Sequence, residues 1–304
     1  MKLRKLGVLA FSAMLVAAAC NTGGGATATP GAATEGPTQA PADKGTVKIA
    51  IELPLQGSEL AASQPIVNGI RLAVKLAGGT AGGYKVEIPD SMIFDDALNG
   101  AHDAQTGARN MQAIVADPDV IAVIGPLNSN VGKAQIPISN EAGLLQCSPA
   151  NTNEGLTKPE FGALDIRKAF PDRINYVRVV PADDIQGVVS AEWAKKLGLN
   201  KVFILDDREV YGKGVADLFH ARAEEIGLKI LGHEGIDAQA QEFKPLMTKI
   251  KAGGPDLIYF GGTTQTKAGQ LVKDMLAVGL NAKFMCPDGC FEDAFIESAG
   301  ADNL

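Results

Sequence analysis

From Thr46 onward, short apolar runs alternate with stretches whose apolar residues recur at three and four. The runs "VKIAI" (47–51), "KVEI" (85–88), "VIAVIG" (120–125), "KVFILD" (201–206), "LKILGHEG" (228–235) and "DLIYFGG" (256–262) read as strands. Between them, "IVNGIRLAVKLAG", "AQTGARNMQAIVAD", "IQGVVSAEWAKKLG", "VADLFHARAEEIG", "FKPLMTKIKAGG" and "AGQLVKDMLAVGL" carry helical periodicity, and several end in the Gly that often follows a helix. Such alternation predicts parallel sheets with crossover helices. The pattern breaks once, from Ser148 to Gly187, in a stretch rich in Pro, Asn, Asp and Gly with one strand at "NYVRVV". A βαβ series precedes the break and another follows it. The expected architecture is therefore α/β, with two doubly wound parallel-sheet lobes over residues 46–181 and 182–304. They are joined by a hinge near Val180 to Asp183, with a ligand cleft between them lined by the loops that follow strands.

The N-terminus has a different pattern. Lys2, Arg4 and Lys5 precede an apolar run from Leu6 to Ala19, and small residues lead into Cys20 at "LVAAAC". This reads as a secretory signal of the bacterial lipoprotein type over residues 1–20, with Cys20 lipidated. The run falls short of the about 20 apolar residues that span a bilayer. Residues 21–45, almost wholly Gly, Ala, Thr and Pro, cannot bury a core and read as a disordered tether, with an end-to-end distance of roughly 25 to 30 Å. The expected location is extracytoplasmic, with the folded part held near a membrane by its lipid.

Composition narrows the function classes. Hydrophobic residues at 46% and charged residues at 21% suit a well-cored domain. A net charge of -7 argues against a nucleic-acid partner, which needs a clustered basic surface. "GPLNSNVGKA" (125–134) fails as a P-loop: its glycines stand too far apart, and Ala134 occupies the place of the Mg²⁺-binding hydroxyl. A strand running into a helix there still offers backbone N–H groups to an anion such as a carboxylate. G-x-G-x-x-G, G-x-S-x-G and H-E-x-x-H are all missing, so a secreted hydrolase lacks its motif and no enzyme is expected. His102, His220 and His233 are scattered, two of them in helical patterns that suggest surface positions. Asp95-Asp96 and Asp206-Asp207 end apolar strands, where capping or ion pairing explains them. In "CPDGC" (286–290) the ligands are too few for zinc and the spacing is wrong for a thioredoxin pair. Two unpaired thiols are favoured there over a local disulfide, and Cys147 reads as a small buried hydrophobe. No metal or cofactor is expected.

Four blocks occur in order and at family spacing: "AVIGPLNSNVGKAQIPISNEAGLLQCSPANTNEGLT", "DDREVYGKGVADLF", "GIDAQAQEFKPLMTKIKAGGPDLIYFGG" and "AKFMCPDG". On these the chain resembles the substrate-binding proteins of branched-chain amino acid ABC transporters, the leucine/isoleucine/valine-binding type of type I periplasmic binding protein. The resemblance implies a monomeric protein that captures a small amino acid and passes it to a membrane permease. It also implies roles residue by residue. Ser129 falls where the family binds the ligand carboxylate at a helix N-terminus. Ala150 and Thr152 fall where a backbone amide and a hydroxyl share that carboxylate and a backbone carbonyl takes one ammonium proton. Tyr211 matches an aromatic closing from the second lobe, and Asp288 matches the acidic residue that pairs with the ammonium. Chemistry agrees, since a zwitterion leaving water needs donors at one end and an anionic acceptor at the other.

Departures from the family pattern qualify the ligand. Ala62 stands where an aromatic residue is common and Thr263 where a tyrosine often stands, so the pocket for the ligand side chain is altered and leucine-type specificity is in doubt. An amide, a urea or an aromatic acid is the alternative ligand class. Leu98 and Asn128 replace a cysteine pair that some members carry. Members also continue past the point matching "AGADNL", so the sequence reads as a fragment whose lobes lack their closing elements.

Overall fold

The structure, a computed structural model, describes residues 43–304. The signal, Cys20 and nearly all of the tether lie outside the described residues. Just ahead of the first strand, Lys44 N–H donates to the Gly83 carbonyl at 3.0 Å and Lys85 N–H to the Gly45 carbonyl at 2.9 Å.

The chain runs β1 (Thr46–Leu53), α1 (Leu60–Leu76), β2 (Thr80–Ala81), β3 (Tyr84–Glu87), β4 (Ile93–Asp95), β5 (Ala97–Leu98), β6 (Ala101–His102), α2 (Ala104–Val115), β7 (Val120–Ile124), α3 (Ser129–Ala142), β8 (Leu145–Ser148) and β9 (Tyr176–Arg178). The first sheet has the order β2-β3-β1-β7-β8-β9, with β4 also pairing to β1, and only the β2–β3 pair is antiparallel. β5 and β6 form a separate antiparallel ribbon. Then come α4 (Asp183–Lys196), β10 (Lys201–Asp206), α5 (Val210–Glu225), β11 (Lys229–Gly235), α6 (Lys244–Gly253), β12 (Leu257–Gly261), α7 (Ala268–Ala277), β13 (Lys283–Met285) and α8 (Asp293–Ala299). The second sheet is wholly parallel, in the order β11-β10-β12-β13.

The continuous apolar runs mark strands covered on both faces, as parallel sheets require. Every residue of β12 is buried, as is every residue of β10 after Lys201. Helix α5 turns Val215, Ala216, Phe219 and Ala223 inward, three and four apart, and the Phe219 ring stacks on Tyr259 of β12 with centroids 3.9 Å apart. In the first lobe Ala50, Met111, Ile114 and Val123 form the equivalent core between β1, β7 and α2.

β8 carries no apolar signal, because its inward face is a polar network. Gln146, fully buried, accepts from Ser139 Oγ at 2.7 Å and donates to Gln135 Oε1 at 2.9 Å, and Gln135 donates on to the Gly107 carbonyl at 3.0 Å. The buried positions in this strand thus belong to Gln146 and Ser148, while Cys147 between them is only half-buried, correcting its reading as a core residue.

Phe219→Ala removes a fully buried ring and its stacking partner's contact, and should lower stability by about 3–5 kcal/mol in urea unfolding.

Candidate ligand-binding site

Parallel strands deliver their following loops to one side, and six such loops meet around a cavity of about 460 Å³. The loops after β1, β7 and β8 supply Ala62, Ser129, Ala150 and Thr152. Those after β10, β12 and β13 supply Asp207, Tyr211, Thr263 and Asp288. All seven residues singled out for ligand contact or pocket shape therefore line one space, with both sheets contributing.

Asn151 fixes the first-lobe side. Fully buried, it donates Nδ2 to the Leu127 carbonyl at 2.8 Å and accepts the Tyr176 hydroxyl at 2.8 Å, which ties the loop after β7 to the loop after β8. Gly132 makes this possible, since a Cβ there would collide with Asn151 Oδ1. Ser129 then opens α3 with its side chain almost fully buried, and its Oγ accepts the Asn153 N–H at 3.3 Å. Asn128, the residue before the helix, makes no side-chain cap. Thr152 is buried beside it, and the Ala150 N–H is engaged by Ser148 Oγ at 3.2 Å.

The second-lobe side turns on Tyr211. Its hydroxyl donates to Asp288 Oδ1 at 2.6 Å and accepts the Gly289 N–H at 3.1 Å. Burial and then the Asp288 charge push the Tyr211 phenol well up, so it stays a donor. Asp288 itself is exposed, and its N–H donates to Gln186 Oε1 at 2.8 Å. Gln186 in turn donates Nε2 to Asp183 Oδ1 at 2.9 Å, so the first turn of α4 is linked to the cavity mouth. Asp183 is fully buried, and burial pushes its carboxyl up to about 7. Burial raises Asp207 likewise to about 7, where α5 packs so closely that a Cβ on Gly212 would strike the Asp207 carboxylate.

The cavity wall is acidic. Glu59, Asp207, Glu209, Asp288, Glu292 and Asp293 contribute carboxyl groups, and no lysine or arginine lines it among the described residues. Glu59, Asp207 and Glu209 are additions to the sequence reading. Asp207 stands in a pair that ends a strand, a visible signal, whereas Glu59 sits in "GSELAASQ" with nothing local to mark it. No group of three or more His, Cys, Asp or Glu residues able to hold a metal ion occurs among the described residues.

Two further corrections concern cysteine and histidine. Cys286 and Cys290 are joined in a disulfide across the Pro-Asp-Gly turn that presents Asp288, with Cα atoms 5.9 Å apart, rather than standing as two thiols. The turn itself, closed by Cys290 N–H to the Pro287 carbonyl at 3.0 Å, brings them into bridging range, which spacing alone does not reveal. The histidines are not isolated surface residues either: His220 and His233 meet at 2.9 Å, and His102 is buried between carboxylates.

The family described as periplasmic binding protein matches residues 46–304. A Leu/Ile/Val-binding protein homolog 2 of Brucella abortus is 30% identical over 255 residues, covering 84% of this chain and 64% of its own length. The chain thus spans less than two-thirds of this curated relative. Among solved structures, the branched-chain amino acid transporter substrate binding protein LivJ from Streptococcus pneumoniae, in complex with isoleucine, superposes with a TM-score of 0.69 at 25% identity over 85% of this chain and 68% of that one. A solute binding protein of an ABC transporter from Rhodopseudomonas palustris, in complex with 3,4-dihydroxy benzoic acid, has the same fold, with a TM-score of 0.66 at 22% identity over 84% of this chain and 65% of that one.

Non-reducing peptide mapping should recover Cys286 and Cys290 in one linked peptide, while Cys147 takes up an alkylating label on unfolding. Asp183 and Asp207 each bind a proton more tightly when folded than at their ordinary value of 3.8. Folding therefore takes up protons between pH about 4 and about 7, and stability is lost as pH rises through that window. Asp207→Asn should reduce that loss, read as a smaller difference in urea midpoint between pH 5 and pH 8 than in the parent protein.

Proposed function

We propose, from the premise that this chain belongs to the periplasmic binding protein family, that its cleft captures a small amino acid outside the cytoplasm and delivers it to an ABC transporter permease. The observation that carries this reading is the meeting of Ser129, Ala150, Thr152, Tyr211 and Asp288 around one cavity, so that hydroxyl and backbone groups and a carboxylate face the same space. The volume, about 460 Å³, falls in the range of small-molecule pockets.

A ligand carboxylate would take the Ser129 and Thr152 hydroxyls and the uncapped N-terminus of α3, where free N–H groups and the helix dipole favour an anion. The ammonium would take Asp288 and the Ala150 carbonyl. Tyr211 holds Asp288 in place for that contact through its 2.6 Å hydrogen bond. Both ligand charges then exchange water for charge-assisted hydrogen bonds, which offsets their desolvation. Since the partners come from both lobes, ligand favours the closed cleft. The names of the Brucella relative and of the isoleucine-bound neighbour support a branched-chain side chain. "LVAAAC" at the N-terminus supports lipid anchoring at Cys20.

The second reading is another small ligand, such as an amide, a urea or an aromatic acid. Ala62 and Thr263 favour it, because they withdraw aromatic surface from the side-chain end of the cavity, and a neighbour of the same fold holds a dihydroxybenzoate.

Titration calorimetry against the twenty amino acids, urea, acetamide and aromatic acids separates the two readings. An amino acid should bind, its analogue without the α-ammonium should not, and Asp288→Asn should weaken binding by about 10- to 100-fold. Binding that ignores Asp288→Asn, or that is confined to ligands without an ammonium, overturns the amino acid reading.

A further inference from the structure

His102 ends the β5–β6 ribbon of the first lobe, with its side chain only 3% exposed. Its Nδ1 lies 2.8 Å from Glu59 Oε1, and its Nε2 lies 2.7 Å from Glu209 Oε2. Glu59 leads into α1 on the first lobe, whereas Glu209 leads into α5 on the second, so one imidazole spans carboxylates from both sides of the cleft. The first-lobe half is built firmly: Glu59 Oε2 accepts the His102 N–H at 2.9 Å, and Asn128 Nδ2 donates to Glu59 Oε1 at 2.9 Å.

Both ring nitrogens face carboxylate oxygens, and a neutral imidazole has a proton for only one of them. The other would present its lone pair to an anion. This arrangement is therefore satisfied by the imidazolium alone.

We propose that His102 is a cross-cleft latch: its imidazolium, clamped between Glu59 and Glu209, holds the two lobes closed over the cavity, and loss of its proton releases them. None of these contacts uses Ser129, Thr152 or Asp288, so the latch does not depend on which ligand the cavity takes.

The balance of forces gives the direction of the pH effect. Burial opposes the charge on His102, but the hydrogen bonds to Glu209 and Glu59 outweigh it and push the ring up to about 10. The other titratable groups beside the ring are acidic too: Asp103, its neighbour in sequence, and Asp96, whose own carboxyl burial pushes up to about 9. Opening removes Glu209 from the ring and leaves Glu59, so the open form binds the proton less tightly. Closure takes up protons, and the closed state loses its advantage as pH rises toward 10. The other side-chain bond from the first lobe to the α5 end, Asn153 Nδ2 to the Val210 carbonyl at 2.9 Å, is between neutral groups and does not titrate.

The test measures lobe separation without ligand. Nitroxide labels carried by unnatural amino acids at exposed Lys133 on α3 and Lys213 on α5 report the distance by double electron–electron resonance at pH 7 and pH 10. The parent protein should be mainly closed at pH 7, with its closed-to-open ratio about tenfold lower at pH 10. His102→Gln should be more open at pH 7 and insensitive to pH. Glu209→Gln, which leaves the Glu59–His102 half intact at a partly exposed position, should shift the same way and decides the matter if the buried substitution fails to fold. Unchanged distances between the two pH values, or a Glu209→Gln protein as closed as the parent, overturns the latch. Because no ligand is present, failure of the amino acid reading leaves this result untouched, and failure of the latch leaves the calorimetry untouched.

Discussion

Parallel pairing forces each strand to be followed by a return across the sheet, and the loops that leave the carboxyl ends of the strands gather along one edge. The second sheet is parallel throughout and the first nearly so. Ser129, Thr152, Tyr211 and Asp288 are spread over about half the chain, yet this constraint brings the first two to one edge of the first sheet and the last two to one edge of the second, where they line one cavity. What remains is to hold the loops in register. Asn151 does so for the first lobe by tying two loops through its amide, and the disulfide does so for the turn that presents Asp288.

Charge within the cleft is divided by burial. Asp183 and Asp207, taken out of water with few donors, are raised toward neutrality and act as hydrogen-bonding groups near pH 7. Asp288 remains exposed at the mouth, and Glu59 and Glu209 are matched to an imidazolium. A wall crowded with carboxyl groups thus avoids most of the repulsion its composition implies.

Strand–helix alternation, the break between the two series and the registered blocks were legible because each depends on local pattern. The long runs of β10 and β12 announce their burial on both faces, and "SPANT" and "CPDG" hold the cavity residues in family order. β8 escaped notice because its inward side chain is Gln146, whose burial depends on partners from α3. The His102 contacts were equally hidden, since its two carboxylates lie 43 and 107 residues away and only the folded chain brings them together. Local sequence reports burial by apolar residues; it is silent where polar groups are buried by satisfying one another.

Closure has two contributors of different kinds. A ligand shifts the open–closed equilibrium only by its differential affinity for the two states, whereas the Glu59–His102–Glu209 contact acts before any ligand arrives. A chain that is already partly closed asks less of its ligand. The linkage is reciprocal: ligand held in the closed cleft tightens proton binding at His102 by the same factor that the proton tightens ligand binding. Affinity for a net-neutral zwitterion would then fall with rising pH even though neither Ser129 nor Thr152 titrates in that range. A pocket working through Asp288 alone shows that fall only where the ligand's own ammonium loses its proton.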